Sequence, residues 1–195
     1  MATPIVRPAL VLLGVLSLIT GLLYPLCIAG VAQLLFARAA AGSIITRAGT
    51  PVASRLIGQS FTRPEYFWGR PSATTPFPYN ADASGGSNLG PLNPALIEAV
   101  RARVAALRAA DPGNSAPVPV DLVTASGSGL DPEVSMAAIQ YQVPRVARAR
   151  NMSPEALLRL AARHVEGPLA GFLGEPRVNV VELNLALDAA PAAAH

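Results

Sequence analysis

The sequence predicts one transmembrane helix near the N-terminus followed by a single α/β or α+β domain with a small mixed sheet. Three observations carry this reading. A charge-free run of 30 residues, Pro8 to Ala37, lies between Arg7 and Arg38. Beyond it, short β-branched runs are interspersed with helical periodicities. The remainder is about the size of one ordinary domain, roughly 150 residues. The expected boundaries are a tail at 1–7, a span at 8–37, a domain over 38–188 and a flexible tail at 189–195.

The span comes first. Its run exceeds the roughly 20 residues needed to cross a bilayer. Ten leucines, three valines, two isoleucines and Phe36 favour insertion by up to about 5–10 kcal/mol. A cleaved signal peptide is the competing reading, with Arg7 at its start and Ala39-Ala40-Ala41 as cleavage site. The apolar stretch is about twice a usual signal core, so a retained anchor is preferred. Ser17, the pair Thr20 and Gly21, Pro25, Gly30 and Gln33 recur at three- to five-residue steps along much of one side. Two readings stay open: a face for a neighbouring helix, to which Tyr24 also belongs, or small residues incidental to an ordinary anchor. Pro25 frees a carbonyl near Gly21 and predicts a kink that a neighbour helix or Thr20 helps to satisfy. Arg7 on one flank against Arg38 and Arg47 on the other leaves orientation undecided by charge.

In the domain, Ser43 to Thr46 and Val52 to Ile57 read as a hairpin about a Gly49-Thr50-Pro51 turn. Residues 62–94 show no sustained periodicity but carry Tyr66, Phe67, Trp68, Phe77 and Tyr79. A long irregular segment rich in aromatics is functional or tied down by packing rather than a disordered linker. Asn93-Pro94 caps a helix whose apolar face is Leu96, Val100, Val104 and Leu107, with Arg101 and Arg108 on the wet side. Val118 to Thr124 reads as a strand. Asp131-Pro132 opens a second helix, with Asp131 as its cap, and Pro144 is expected to interrupt it. Ser153-Pro154-Glu155 starts a third, and Val178 to Leu187 reads as a final strand or a strand plus extension.

Composition excludes several chemistries. All 15 basic residues are arginine, so a Walker A loop and lysine Schiff-base or Ser-Lys catalysis are ruled out. The lone cysteine, Cys27, lies in the span, leaving neither a disulfide framework nor a Cys-rich zinc site. His164, at a helix end, and His195 have no metal partner at useful spacing, and no metal is expected. Charges alternate in sign without basic runs, which argues against nucleic acid. Ser126-Gly127-Ser128-Gly129 lacks the nucleophile-elbow spacing and reads as a turn. Ser84, Gly85, Gly86, Ser87 and Asn88 form a glycine-rich loop whose amides suit an anion, though a tight turn is the simpler reading.

Read together, these phrases resemble one family, the C subunit of the Kdp-type potassium-transporting ATPase. In the span the match is Thr20-Gly21-Leu22-Leu23-Tyr24-Pro25, Gln33 and Phe36, followed by Gly42 to Ile45. In the domain it is Leu56-Ile57-Gly58-Gln59, Tyr66 to Ala73, Ser84 to Pro91, Val118 to Pro132, Gln142 to Ala147 and Gly174 to Val180. Within these phrases Gly58, Gln59, Trp68, Arg70, Asp121, Ser126, Asp131 and Arg145 are the expected domain motif. Departures are Glu133 where the family has histidine, Ala37 for proline, Ala41 for asparagine and Ala53 for glycine. The resemblance implies a non-catalytic subunit in the bacterial inner membrane, N-terminus cytoplasmic and domain outside. Its implied partners are a pore subunit, a P-type ATP-hydrolysing subunit and a small single-span subunit. It further implies potassium as the transported ion and a catalytic chaperone that raises the ATP affinity of the hydrolysing subunit, with ATP itself a ligand only by resemblance. The alternatives are a membrane-anchored periplasmic hydrolase acting through Ser128 and His164, or a ligand-binding module.

Overall fold

A computed structural model describes residues 4–168 and 170–190. Contacts divide the chain into two units, Met1–Val52 and Ala53–His195.

In the first unit, helix α1 (Val6–Leu18) runs through a π-helical turn, Ile19–Leu23, into α2 (Tyr24–Leu35). Together they form one apolar rod, Val6–Leu35, of 30 residues, with a mean hydropathy of 2.3 over an 18-residue stretch of it. At about 1.5 Å per residue it reaches roughly 45 Å, enough to cross a bilayer with its headgroups. None of its residues is buried among the described residues. A short helix, α3 (Ala37–Ala40), follows. Strands β1 (Ile44–Arg47) and β2 (Thr50–Ser54) then form a two-stranded sheet. The hairpin is as expected but its turn is displaced. Ala48 and Gly49 carry the two positive φ angles, 50° and 80°, that a two-residue hairpin turn requires. Thr50 and Pro51 therefore enter the strand instead of forming the turn.

The second unit is the α+β domain. Helix α4 (Pro94–Ala110) begins where expected, with the Asn93 side chain accepting the Ala95 N–H, and Leu107 is its buried anchor. The expected strand at Val118 to Thr124 is instead a 3-10 turn, Val120–Leu122, which buries Leu122 and Val123. β-branched composition suggested a strand, but Asp121 within the turn accepts the Ser135 N–H at 2.7 Å and fixes the chain there. The second helix opens later than expected. Residues Glu133–Ser135 form β3, and α5 (Met136–Arg150) is capped by Ser135, whose Oγ accepts the Ala138 N–H, rather than by Asp131. Nor does Pro144 interrupt α5. The ring costs about 3 kcal/mol in a helix interior, but Ile139, Val143, Val146 and Ala147 are buried on both sides of it. One turn earlier the Tyr141 carbonyl accepts from Asn114 Nδ2 at 2.8 Å.

Helix α6 (Pro154–Ala162) starts at its Ser153 cap as expected, and β4 (Val165–Glu166) follows. The expected final strand is three residues of β5 (Arg177–Asn179) and then α7 (Val180–Ala189). Asn179 Oδ1 accepts the N–H groups of Val181 and Glu182, which turns the apolar run into a helix. The sheet has the order β3-β5-β4 and is antiparallel at both ladders rather than mixed. Across β3 and β5, Glu133 pairs with Arg177 at 2.6 Å. The core gathers Phe67, Ile139, Val146, Leu157, Val178, Leu183 and Leu187 around α5 and α7. The tail expected at 189–195 lies outside the described residues from 191 onward, as does His195.

Candidate functional site

The irregular segment is tied down rather than loose, and side-chain amides tie it. Residues 66–68 run beside α5 and α7 like a strand whose ladder partners are side chains. Gln142 Oε1 accepts the Trp68 N–H at 2.8 Å, and its Nε2 donates to the Trp68 carbonyl at 3.1 Å. Asn184 does the same for Phe67, at 2.9 Å in each direction. Both amides are about 1% exposed, so each meets a backbone N–H and C=O that would otherwise be stranded in the core. Arg145, also buried, donates to the carbonyls of Pro64 and Tyr66 and to Gln142 Oε1 at 2.6–3.0 Å. Its guanidinium lies 4.2 Å from the centre of the Trp68 ring, and burial pushes its pKa down to about 10. Arg150 Nε donates to the Glu65 carbonyl at 2.7 Å, and Arg150 pairs with Asp188 at 2.7 Å.

A second knot joins the two glycine-rich stretches. Gly85 N–H and Ser84 Oγ donate to the Ser128 carbonyl at 2.8 and 3.1 Å. A Cβ on Gly86 would lie 2.8 Å from the Gly127 carbonyl oxygen. Gly129 has φ +69°, and a Cβ there would meet Thr74 Cγ2 at 2.5 Å and the Gly85 oxygen at 2.6 Å. Ser72 Oγ donates to the Gly129 carbonyl at 2.6 Å and accepts the Tyr79 N–H. The Tyr79 hydroxyl donates to the Arg70 carbonyl, and its ring fills the space beside Gly58. Burial above all, then the Asp131 charge, push the Tyr79 phenol up to about 12. Arg70 pairs with Asp131 at 3.1 Å, while Asp131 Oδ1 accepts the Glu133 N–H.

The structure therefore brings Gly58, Arg70, Asp131 and the loops at 84–86 and 127–129 together around Tyr79. Trp68 and Arg145 meet in the neighbouring amide network. Asp121 fixes β3, and Ser126, 3% exposed, donates its backbone N–H to the Pro71 carbonyl. Ser87 and Asn88 lie on the outer part of their loop, with Asn88 at φ 51°. Ser128 Oγ accepts the Leu130 N–H, and no hydrogen bond joins it to His164 among the described residues. Nor, among those residues, is any group of three or more His, Cys, Asp or Glu side chains placed to hold a metal.

In the span, Thr20 Oγ1 donates to the Leu16 carbonyl at 2.8 Å, not to the carbonyl near Gly21 that Pro25 frees. The π turn absorbs that disturbance, with Tyr24 N–H donating to the Ile19 carbonyl. Such a turn inserts one residue and rotates everything after it back by about 100°. Ser17, Thr20, Gly21, Pro25, Gly30 and Gln33 would spread over about 280° of an uninterrupted α-helix, and the turn gathers them within about 180°. A Cβ on Gly14, Gly21 or Gly30 meets nothing within 4 Å.

Comparison with known proteins decides what these motifs belong to. The K+-transporting ATPase C chain family, KdpC, matches residues 6–189. The potassium-transporting ATPase KdpC subunit of Variovorax paradoxus (strain S110) is 64% identical over 189 residues, 97% of this chain and 98% of the relative. That of Polaromonas naphthalenivorans (strain CJ2) is 65% identical over 185 residues, 95% and 94% of the two chains. The chain belongs to the KdpC family. As a KdpC-family member it is a membrane-associated subunit of a potassium-transporting ATPase, and potassium is the ion that system moves.

For this KdpC-family chain, sequence reasoning missed Gln142, Asn184 and Tyr79 as organisers of the motif hub. Asn184 had one local signal, an amide among the leucines of the apolar run from Val178 to Leu187. Gln142 sits 74 residues from Trp68, and nothing local announces that pairing. Arg103 was missed as well. It sits beside Val100 and Val104 and donates to the Val123 carbonyl at 2.8 Å, unlike the exposed Arg101 and Arg108.

Proposed function

We propose that the chain is an accessory, non-catalytic subunit that assembles with and stabilises the pore and ATP-hydrolysing subunits of the pump, together with a small single-span subunit. The N-terminus is cytoplasmic in a bacterial inner membrane, residues 8–37 span it, and the domain over 38–188 covers the ion entrance on the outer side. The observation that carries this reading is the span itself: a 30-residue apolar rod in which no residue is buried among the described residues. Gly21 lies open within its π turn. Close approach at small residues is how helices associate in lipid, so Thr20, Gly21, Tyr24, Pro25 and Gln33 form the face that meets the pump's membrane core.

The domain acts by packing rather than by steering ions, because 14 arginines face 12 acids and no strong cation funnel results. The effect on ATP affinity passes through the span as a coupling free energy between the two sides of the membrane. ATP is engaged by the hydrolysing subunit, since Ser84 and Gly85 already donate to Ser128. Affinity purification of the full chain in mild detergent tests the reading. Pore and ATP-hydrolysing subunits should accompany it, and recovery of the chain alone would overturn it. Labelled-ATP crosslinking of the purified chain should leave Ser84 to Gly90 unmodified.

A further inference from the structure

A cleft of about 310 Å³ opens beside the motif hub, lined among others by Gln59, Phe61, Trp68, Arg70, Tyr79 and Arg103. Two arginines line it and no carboxylate does. Arg70 is neutralised by Asp131 at 3.1 Å. Arg103 is not: its one hydrogen bond goes to a carbonyl, that of Val123, and no salt bridge joins it to a carboxylate among the described residues. Partial burial alone pushes its pKa below the usual arginine value. A guanidinium drawn out of water without a counter-ion carries a desolvation cost that an incoming carboxylate relieves.

The aromatic wall is set before anything arrives. Trp68 is held by Gln142 on both backbone groups, its indole N–H donates to the Arg63 carbonyl at 3.0 Å, and Arg145 covers one face of its ring. Tyr79 is fixed by Ser72 and the Arg70 carbonyl. Preorganised Trp, Tyr and Arg are the residue types that dominate binding hot spots, because little entropy remains to be lost.

We propose that this cleft is the docking site for an acidic loop of another subunit of the pump, an Asp or Glu carboxylate pairing with Arg103 and an adjacent apolar side chain lying on Trp68. The inference rests on the reading of the chain as an assembled subunit and names the surface used. The volume stands at the bottom of the range for small-molecule sites, roughly 300–1,000 Å³. One or two side chains fill it, whereas a nucleoside triphosphate does not.

The test places a photoreactive benzoylphenylalanine at Ser60, an exposed residue on the cleft rim, in the intact complex. Irradiation should crosslink it to a peptide of another pump subunit that contains Asp or Glu. Arg103→Glu should lower the yield at least about tenfold, since like charges in contact repel by several kcal/mol. Because that change also removes the bond to Val123, Thr62→Glu serves as a second variant: it adds a carboxylate at an exposed rim position and should act in the same direction. Arg101→Glu, on the wet side of α4, should leave the yield unchanged. Crosslinks confined to this chain or to lipid, yields indifferent to Arg103→Glu and Thr62→Glu, or loss of crosslinking on adding ATP would each overturn the proposal. Partner subunits present in the same preparation without a crosslink sink the cleft alone. A preparation without partner subunits sinks the subunit reading beneath it.

Discussion

The span and the domain meet the same problem, a proline within a helix, in opposite ways. In α5, Pro144 itself lies exposed, but Val143, Arg145, Val146 and Ala147 on either side of it are buried and the helix runs through it unbroken. In the span, the disturbance before Pro25 is absorbed by a π turn, and a Cβ on its Gly21 meets nothing within 4 Å among the described residues. The domain satisfies its own irregular backbone through Gln142, Asn184 and Arg145. The span gathers its small and polar residues along one side, where a Cβ on Gly21 or Gly30 meets nothing within 4 Å among the described residues. The domain's irregular backbone is satisfied from within, whereas the small-residue side of the span is the surface proposed above to meet a partner.

The comparison breaks first at Gln142. Gln142→Leu strands the Trp68 N–H and carbonyl and removes an acceptor from Arg145, so the domain should lose about 3–5 kcal/mol. Its melting midpoint in detergent should fall by roughly 10–20 °C; an unchanged midpoint would mean that the amide ladder does not hold the segment. Gly129→Ala comes next, because φ +69° and the contacts at 2.5 and 2.6 Å leave no room for a methyl group. About 2–4 kcal/mol should be lost in the same measurement.

Alkaline titration sharpens the picture further. Tyr79 is raised from 10.0 to about 12 in the folded state, so the folded form prefers the neutral phenol. Its contribution is fully present below pH 10 and is lost as pH rises toward 12, on the order of 2 kcal/mol. Denaturant midpoints across that window should fall, and Tyr79→Phe should flatten the Tyr79 part of the slope.

What could be read from sequence was what is decided locally. The helix starts at Asn93-Pro94 and Ser153-Pro154 were legible because a cap and its first turn lie within four residues. Val118 to Thr124 was misread as a strand, and the strand expected from Val178 ends at Asn179 with a helix beyond it, because β-branched composition outweighed single polar residues. Asp121 and Asn179 decide those segments, one through a bond to Ser135 and the other by capping α7. The α5 boundary shifted because Asp131 serves Arg70 and the Glu133 amide instead of a helix. Within the site, the motif residues were recognisable as phrases of a known family, but their reasons were not. Trp68 depends on Gln142 and Arg145, and Gly58 on Tyr79, partners brought together by folding rather than by spacing.

The most direct measurement uses Gly21→Leu in the full chain. A Cβ at Gly21 meets nothing within 4 Å among the described residues, so the variant should insert and its domain should melt at the native temperature. Partner subunits should be recovered with it in mild detergent at a small fraction of the native yield. Native recovery of the partners would contradict the claim that this face of the span is an interface.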